Sequence, residues 1–335
     1  MKGSLPLLIS LEKAKYPLKI LAEELNFNRE ERTLAKLLWN KGLPPLVTPA
    51  VLPYLLGISH QLIGYMEVYT YSFYRPFTIR KKSGGYREIV APRRVLKTIQ
   101  RWIYANICLK GDVHDNAFGF VRGKSIFDNG KVHAKNKNLM VVDISDFFQS
   151  IKFDQVESVF KDFGFPFRVA HQLTALCCLN GCLPQGAPTS PALANLVFKP
   201  IDSQLTELSR VWGCDYTRYA DDLAFSGSKV FSEKDEARVA KIIKQLGLSI
   251  NERKSRIVGQ GGRQIVAGLV VNHCVLPPRA ARRRWRAMFH RAYRYPREFI
   301  DKAQTLTGIT AFVSQFSPEI ASRYDRLLER VRQLL

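Results

Sequence analysis

A chain of 335 residues, 46% hydrophobic and 24% charged, is long enough for two or three cores and excludes both wholesale disorder and reliance on disulfides. Its charge is unusual: 51 Lys and Arg against 29 Asp and Glu leave +22, which calls for a polyanionic partner. Nucleic acid fits better than a membrane, because no stretch reads as a basic amphipathic anchor and phosphate neutralisation drives the binding of basic proteins.

Residues 1–75 read as helices, with Leu18, Leu21, Leu25 and then Leu34, Leu37, Leu38 at helical spacing, joined through a proline-rich stretch at 43–53. The apolar run Leu5–Leu11 is interrupted by Pro6 and lacks a cleavage site. Residues 42–66 carry no formal charge but too many prolines and polar residues for a span. No membrane segment is therefore expected. Cys108, Cys177, Cys178, Cys182, Cys214 and Cys274 show no C-x-x-C pair or accompanying histidine spacing, which predicts a cytoplasmic protein without structural zinc. Leu55–Leu62 superficially matches a helix-turn-helix corner, a pattern that packed helices produce more often than DNA readers do.

From Tyr74 the pattern changes to β-prone runs about Gly84-Gly85, a hairpin signal crowded with basic residues. Leu139–Ile144 is a buried strand, and Ser190-Pro191 opens a helix in cap and first-turn positions, with Ala194, Val197, Ile201, Leu205 and Leu208 as its apolar stripe. Residues 215–226 form two short strands about a tight turn, and 233–246 a helix closed by Gly247. That order favours an antiparallel sheet packed on helices, an α+β fold. A further apolar run follows Val266. The basic C-terminus is helical, its last helix opening at Ser317-Pro318 with Ile320, Tyr324, Leu327, Val331 and Leu334 on one side. Arg279, Arg282, Arg283, Arg284, Arg286, Arg291, Arg294 and Arg297 interleave there with Trp285, Phe289 and Tyr293. The aromatic stripe reads as core, whereas that many arginines must face outward, and structured RNA suits them.

Two acids are adjacent at the predicted turn, Asp221 and Asp222, and a third, Asp143, ends the buried run LMVVD. Exposure alone explains an isolated Asp-Asp pair, but a buried carboxylate such as Asp143 needs a counter-charge. Three carboxylates from two elements suit two Mg²⁺ ions engaged in phosphoryl transfer.

DISDFF (143–148), LPQGAPTSPALANLVF (183–198), YADD (219–222), GLSINERKSRI (247–257) and VAGLVVN (266–272) together resemble the ordered polymerase motifs of reverse transcriptases. The resemblance implies a right-hand polymerase: an N-terminal helical region at 1–75, fingers at 76–138 and 152–182, a palm with an antiparallel sheet at 139–151 and 183–274, and a basic helical thumb at 275–335. It implies Asp143 and Asp221 as the main metal ligands with Asp222 beside them, and Lys254 as proton donor to pyrophosphate. Phe148 would exclude a 2′-hydroxyl, Gln185 and Gly186 would lie over the incoming dNTP, and Arg87, Lys81 and Lys82 would hold its triphosphate. Asp146 has no ligand role and is taken as structural.

Among bacterial types the chain is most similar to retron enzymes, which usually carry Asn-Ala-x-x-His and Val-Thr-Gly elements. Here these read Asn129-Gly130-Lys131-Val132-His133 and Val266-Ala267-Gly268, so the alanine and threonine are replaced. A retron enzyme implies a structured noncoding RNA as template and primer, synthesis from a guanosine 2′-hydroxyl, a branched DNA product, a defence role against phage and a separately encoded effector protein. Group II intron-like or diversity-generating reverse transcriptases, an RNA-dependent RNA polymerase and a non-catalytic RNA-binding module remain as alternatives.

Overall fold

The computed structural model describes residues 18–80 and 84–334; Lys81, Lys82 and the Leu5–Leu11 run lie outside the described residues. The chain begins with α1 (Leu18–Glu24) and α2 (Arg29–Asn40), the latter opened by a reciprocal capping box in which the Asn28 and Glu31 side chains each accept the other's backbone N–H. Then come α3 (Val51–Leu56) and α4 (His60–Val68). Between them Gly57 adopts φ 63° and the Ser59 hydroxyl accepts the Leu62 amide, so Leu55–Leu62 is a capped, packed corner.

The chain continues through β1 (Tyr74–Arg80), β2 (Tyr86–Pro92), α5 (Arg94–Asn106), α6 (Ile126–His133), β3 (Asn138–Asp143), α7 (Phe147–Ser150), α8 (Phe153–Asp162) and α9 (Phe167–Cys177). Next are α10 (Ser190–Val211), β4 (Cys214–Tyr219), β5 (Asp222–Gly227), α11 (Glu233–Ile243), β6 (Arg256–Gly259), β7 (Ile265–Val266) and β8 (Leu269–Val270). Helices α12 (Arg279–Arg294), α13 (Ala303–Ser314) and α14 (Pro318–Arg332) end it. Ser190 does not cap α10 as expected: its buried hydroxyl donates to the Pro184 carbonyl and anchors the loop before the helix.

Two compact units result. One gathers the described residues up to Phe120, Ile144–Gln204 and Val239–Ile250; the other gathers Val121–Asp143, Leu205–Arg238 and the chain from Asn251 onward. In the first, β1 and β2 pair antiparallel with Ile79 opposite Arg87. Buried Gln100 on α5 donates to both the Tyr74 hydroxyl and the Leu176 carbonyl at 2.8 Å, tying β1 and α9 to α5.

The second unit is built on a four-stranded antiparallel sheet in the order β4-β5-β3-β6. Leu139 to Asp143 of β3 are buried, as the continuous apolar run requires. Leu139, Val141 and Ala224 on one sheet face share a core with Val266 and Val271. The β7–β8 hairpin turns at Ala267 (φ 44°) and Gly268 (φ 84°), two consecutive left-handed residues as a type I′ turn demands.

Helices α12 to α14 form a separate core in which Phe289 lies flat on Tyr324, 4.0 Å between centroids. Contact with Phe289 sets the rotation of α14. The buried stripe is Ala321, Tyr324, Leu328 and Val331, while Ile320 and Leu334, expected inside, are exposed. Both stripes pass through Tyr324 and Val331, and periodicity alone does not choose between them.

Candidate active site

Asp143, Asp221 and Asp222 gather at one end of the sheet. In the β3–β5 register Asp143 stands directly opposite Asp222, and residues so paired project from the same face. Asp221 belongs to the two-residue turn joining Tyr219 to Asp222. The other turn residue, Ala220, sits at φ 56°, a conformation that costs an L-residue roughly 1–2 kcal/mol and that glycine usually supplies. Beneath the turn the guanidinium of fully buried Arg218 donates to the Ala220 carbonyl at 3.3 Å. The tight turn sets Asp221 immediately beside Asp222, where strain and like charge combine.

Asp143 is 6% exposed and its carboxylate accepts from Lys254 Nζ at 2.9 and 3.2 Å. The turn bearing Lys254 is fixed by the Asn251 amide donating to the Asp143 carbonyl at 2.7 Å. The bond from Lys254 Nζ to the Asp143 carboxylate, against partial burial and with the added negative charge of all three aspartates, raises the Lys254 pKa. Asp222 is pushed up to about 6 by burial, then by the charges of Asp221 and Asp143, against the weaker pull of Arg256 and Lys254. Among the described residues no three Asp, Glu, His or Cys side chains are drawn into a preformed metal cluster, and Lys254 supplies Asp143's counter-charge. The donor set fits a hard cation: the repulsion still borne by Asp222 is what a divalent ion among carboxylate oxygens would relieve.

The other end of this face is closed by a polar chain. Asn136 Nδ2 donates to Ser226 Oγ at 2.7 Å, and Ser226 Oγ lies 2.7 Å from His133 Nδ1. His133 Nε2 lies 2.6 Å from Thr217 Oγ1, which donates to Asn129 Oδ1 at 2.5 Å. With Thr217 committed to Asn129, its oxygen accepts from His133 Nε2–H, and Nδ1 accepts from Ser226. The imidazole is therefore neutral, in keeping with a pKa lowered to about 3 by burial. Asn129 and His133 thus clamp β4 and β5 from inside instead of facing a ligand.

The glycine between them has a steric cause. A Cβ at Gly130 would come 2.7 Å from Val275 Cγ1, so Val275 fills the space an alanine methyl would need. Gly130→Ala is expected to destabilise the protein by about 1–3 kcal/mol, and Gly130→Ala with Val275→Ala to recover most of the loss in thermal melts. An undiminished melting temperature in the single variant would contradict this packing.

The expected nucleotide-side residues lie in the first unit. Half-buried Phe148 is 5.5 Å from Phe147 and 6.2 Å from exposed Phe120, so it is not simply core. Gln185 accepts the Val90 amide through its backbone at 2.9 Å, joining the LPQG loop to β2. Gly186 has φ 127°, and a Cβ there would meet Ile89 Cγ2 at 2.8 Å and the Val90 carbonyl at 3.1 Å, so only glycine fits. Arg87 is exposed on β2, and Asp146 is exposed at φ 42° before α7.

On α12, Arg279, Arg283, Arg284, Arg286, Arg291 and Arg294 are exposed, and half-buried Arg282 donates to the Pro277 carbonyl. Arg291 pairs with Glu298 at 2.7 Å. Phe289 is buried and Trp285 packs on the same core, while Tyr293 is covered by the Arg330 guanidinium at 4.2 Å. The stripe is core with one cation–π edge. The described cysteines are free, and no described helix is long and apolar enough to cross a membrane.

Residues 79–272 match the family model described as reverse transcriptase (RNA-dependent DNA polymerase). Retron Mx65 reverse transcriptase of Myxococcus xanthus is 35% identical over 313 residues, covering 85% of this chain and 72% of that protein. Retron Ec86 reverse transcriptase of Escherichia coli is 35% identical over 239 residues, covering 70% of this chain and 74% of its own. A truncated apo telomerase from Candida Tropicalis aligns more loosely, at TM-score 0.41 and 12% identity over 66% of this chain and 61% of that one. The chain belongs to the reverse transcriptase family, on its retron branch. It is an RNA-directed DNA polymerase of α+β right-hand fold, with an RNA template and a DNA product, from a family that works with divalent metal ions.

Proposed function

We propose that this polymerase copies a cognate structured noncoding RNA from dNTPs with two Mg²⁺ ions, priming from a guanosine 2′-hydroxyl and leaving a branched RNA-DNA product. The observation that carries the catalytic part is the register match of Asp143 with Asp222, with Asp221 in the adjoining turn. Asp143 and Asp221 would hold the ions, with Asp222 beside them. Bound there, divalent ions lower the pKa of an attacking hydroxyl and neutralise charge on the departing pyrophosphate.

The chain's own groups do the rest. Lys254, which donates to both Asp143 oxygens, would release that contact and protonate pyrophosphate. Phe148 presents the half-buried ring against which a 2′-hydroxyl would clash. Gln185 and Gly186 form the loop over the nucleotide, and Arg87 with Lys81 and Lys82 the triphosphate contacts, the planar fork of arginine gripping phosphate oxygens in pairs.

The exposed arginines of α12 would contact RNA. Changing Arg283, Arg284 and Arg286 together to Ala is expected to flatten the plot of log K against log salt by about one unit per lost phosphate contact. An unchanged slope would remove these residues from the interface. Action in phage defence with a separately encoded effector follows from retron kinship. Sequencing the nucleic acid that copurifies with the chain tests the whole reading: a DNA branched from a short RNA supports it, and unbranched cellular RNA counts against it.

A further inference from the structure

Away from the acidic turn, the second unit contains a cavity of about 230 Å³ whose wall carries Arg263, His273, Arg279 and Arg282. These come from three places: the loop between β6 and β7, the segment after β8, and the first turn of α12. No acid lines the cavity, and among the described residues neither Arg263 nor Arg279 has a carboxylate partner. Cations gathered round a small space repel one another, a cost that solvent screens on an open surface and screens less well in a recess.

The walls are fixed. Asn272, itself in the lining, donates through Nδ2 to the Gly262 carbonyl at 2.7 Å and the Gln260 carbonyl at 3.2 Å, and accepts the Gln264 amide at 2.9 Å. The loop presenting Arg263 is therefore clasped on both sides of that residue. Val270 and Leu276 exchange both backbone hydrogen bonds, at 2.8 and 3.0 Å, which closes the segment bearing His273. Arg282 is steadied by donating through Nε to the Pro277 carbonyl at 3.1 Å. A solvated arginine cluster needs none of this support, whereas an oxyanion site benefits from all of it.

We propose that this cavity seats one backbone phosphate of the bound RNA, gripped by Arg263, Arg279 and Arg282, with the aliphatic Val270 and Leu276 beneath the adjoining sugar. Its volume admits a phosphate and a sugar but no duplex, so it acts as a register point for one strand. The proposal rests on the RNA partner named above, yet its test needs no DNA synthesis.

Cys274 lines the same cavity and is exposed, so it reports occupancy. In the full chain, N-ethylmaleimide modification of Cys274 would be followed by peptide mass spectrometry with and without a saturating RNA stem-loop, and with a DNA stem-loop of the same sequence. RNA is expected to slow modification at least about fivefold. Arg263→Gln, at an exposed position, should abolish that protection and reduce the salt slope of RNA binding by about one unit. Arg238→Gln, at an exposed position of α11, should change neither. Cys274 reacting equally fast under saturating RNA overturns the proposal, as does an Arg263→Gln variant with wild-type protection and slope. Protection by DNA and not by RNA overturns the RNA assignment. Extension of oligo(dT) on poly(rA) by the wild-type chain reports separately on the polymerase reading.

Discussion

Asp143→Asn is expected to reduce primer extension on an RNA template by at least about a thousandfold with RNA affinity unchanged, because it removes an acid whose contribution is made only in the reacting complex. Asp222→Asn should also depress extension, and it should stabilise the cation-free protein. The reason is the sign of its pKa shift. A carboxyl pushed up to about 6 in the fold, above its unfolded value, favours the folded state less once ionised. That cost is absent below about pH 4, grows between about pH 4 and 6, and is full above this window. In chelator, the melting temperature of Asp222→Asn should therefore rise above that of the wild type across that window and stay above it at pH 8. Added Mg²⁺ should close the gap by stabilising the wild type. Coincident melting curves in chelator at pH 8 would show that the acids do not repel.

Phe148→Ala is expected to relax the preference for dNTPs over NTPs by roughly ten- to a hundredfold, the range a purely steric pocket commands over one hydroxyl group. The effect should appear as faster NTP incorporation, with dNTP incorporation falling less. The structure gives the ring room for this role, since it is half-buried against Phe120 and Phe147. Discrimination undiminished in single-turnover extension would return Phe148 to a packing role.

The large elements were legible because each has a local cause: the run LMVVD makes a strand buried on both faces, and YADD between two β-prone runs makes a hairpin. The acid constellation was legible by another route, the chemistry of a buried Asp143 beside the Asp221-Asp222 pair and the order of the polymerase motifs, since the β3–β5 register that sets Asp222 opposite Asp143 joins strands far apart in the chain and no hairpin fixes it. Features that depend on distant partners were not legible. Nothing local in Asn129-Gly130 announces that Val275, far along the chain, occupies the missing methyl's place. Nor does an arginine at 218, beside two aspartates, reveal in sequence that it is fully buried and supports the Ala220 carbonyl. A signal did exist for the His133 chain: Thr217 and Ser226 are polar residues at inward positions of apolar strands, and a buried hydroxyl requires a partner. The rotation of α14 was missed because two apolar stripes share residues and only the stacking of Tyr324 on Phe289 selects between them.

The most direct test is a crystal of the full chain equilibrated with Mn²⁺ and measured for anomalous scattering. The ion should touch the carboxylates of Asp143 and its neighbours at the 221–222 turn, with the amine of Lys254 released from Asp143. Saturating Mn²⁺ found only elsewhere, with the Lys254–Asp143 pair intact, would contradict the assignment of these acids to catalysis.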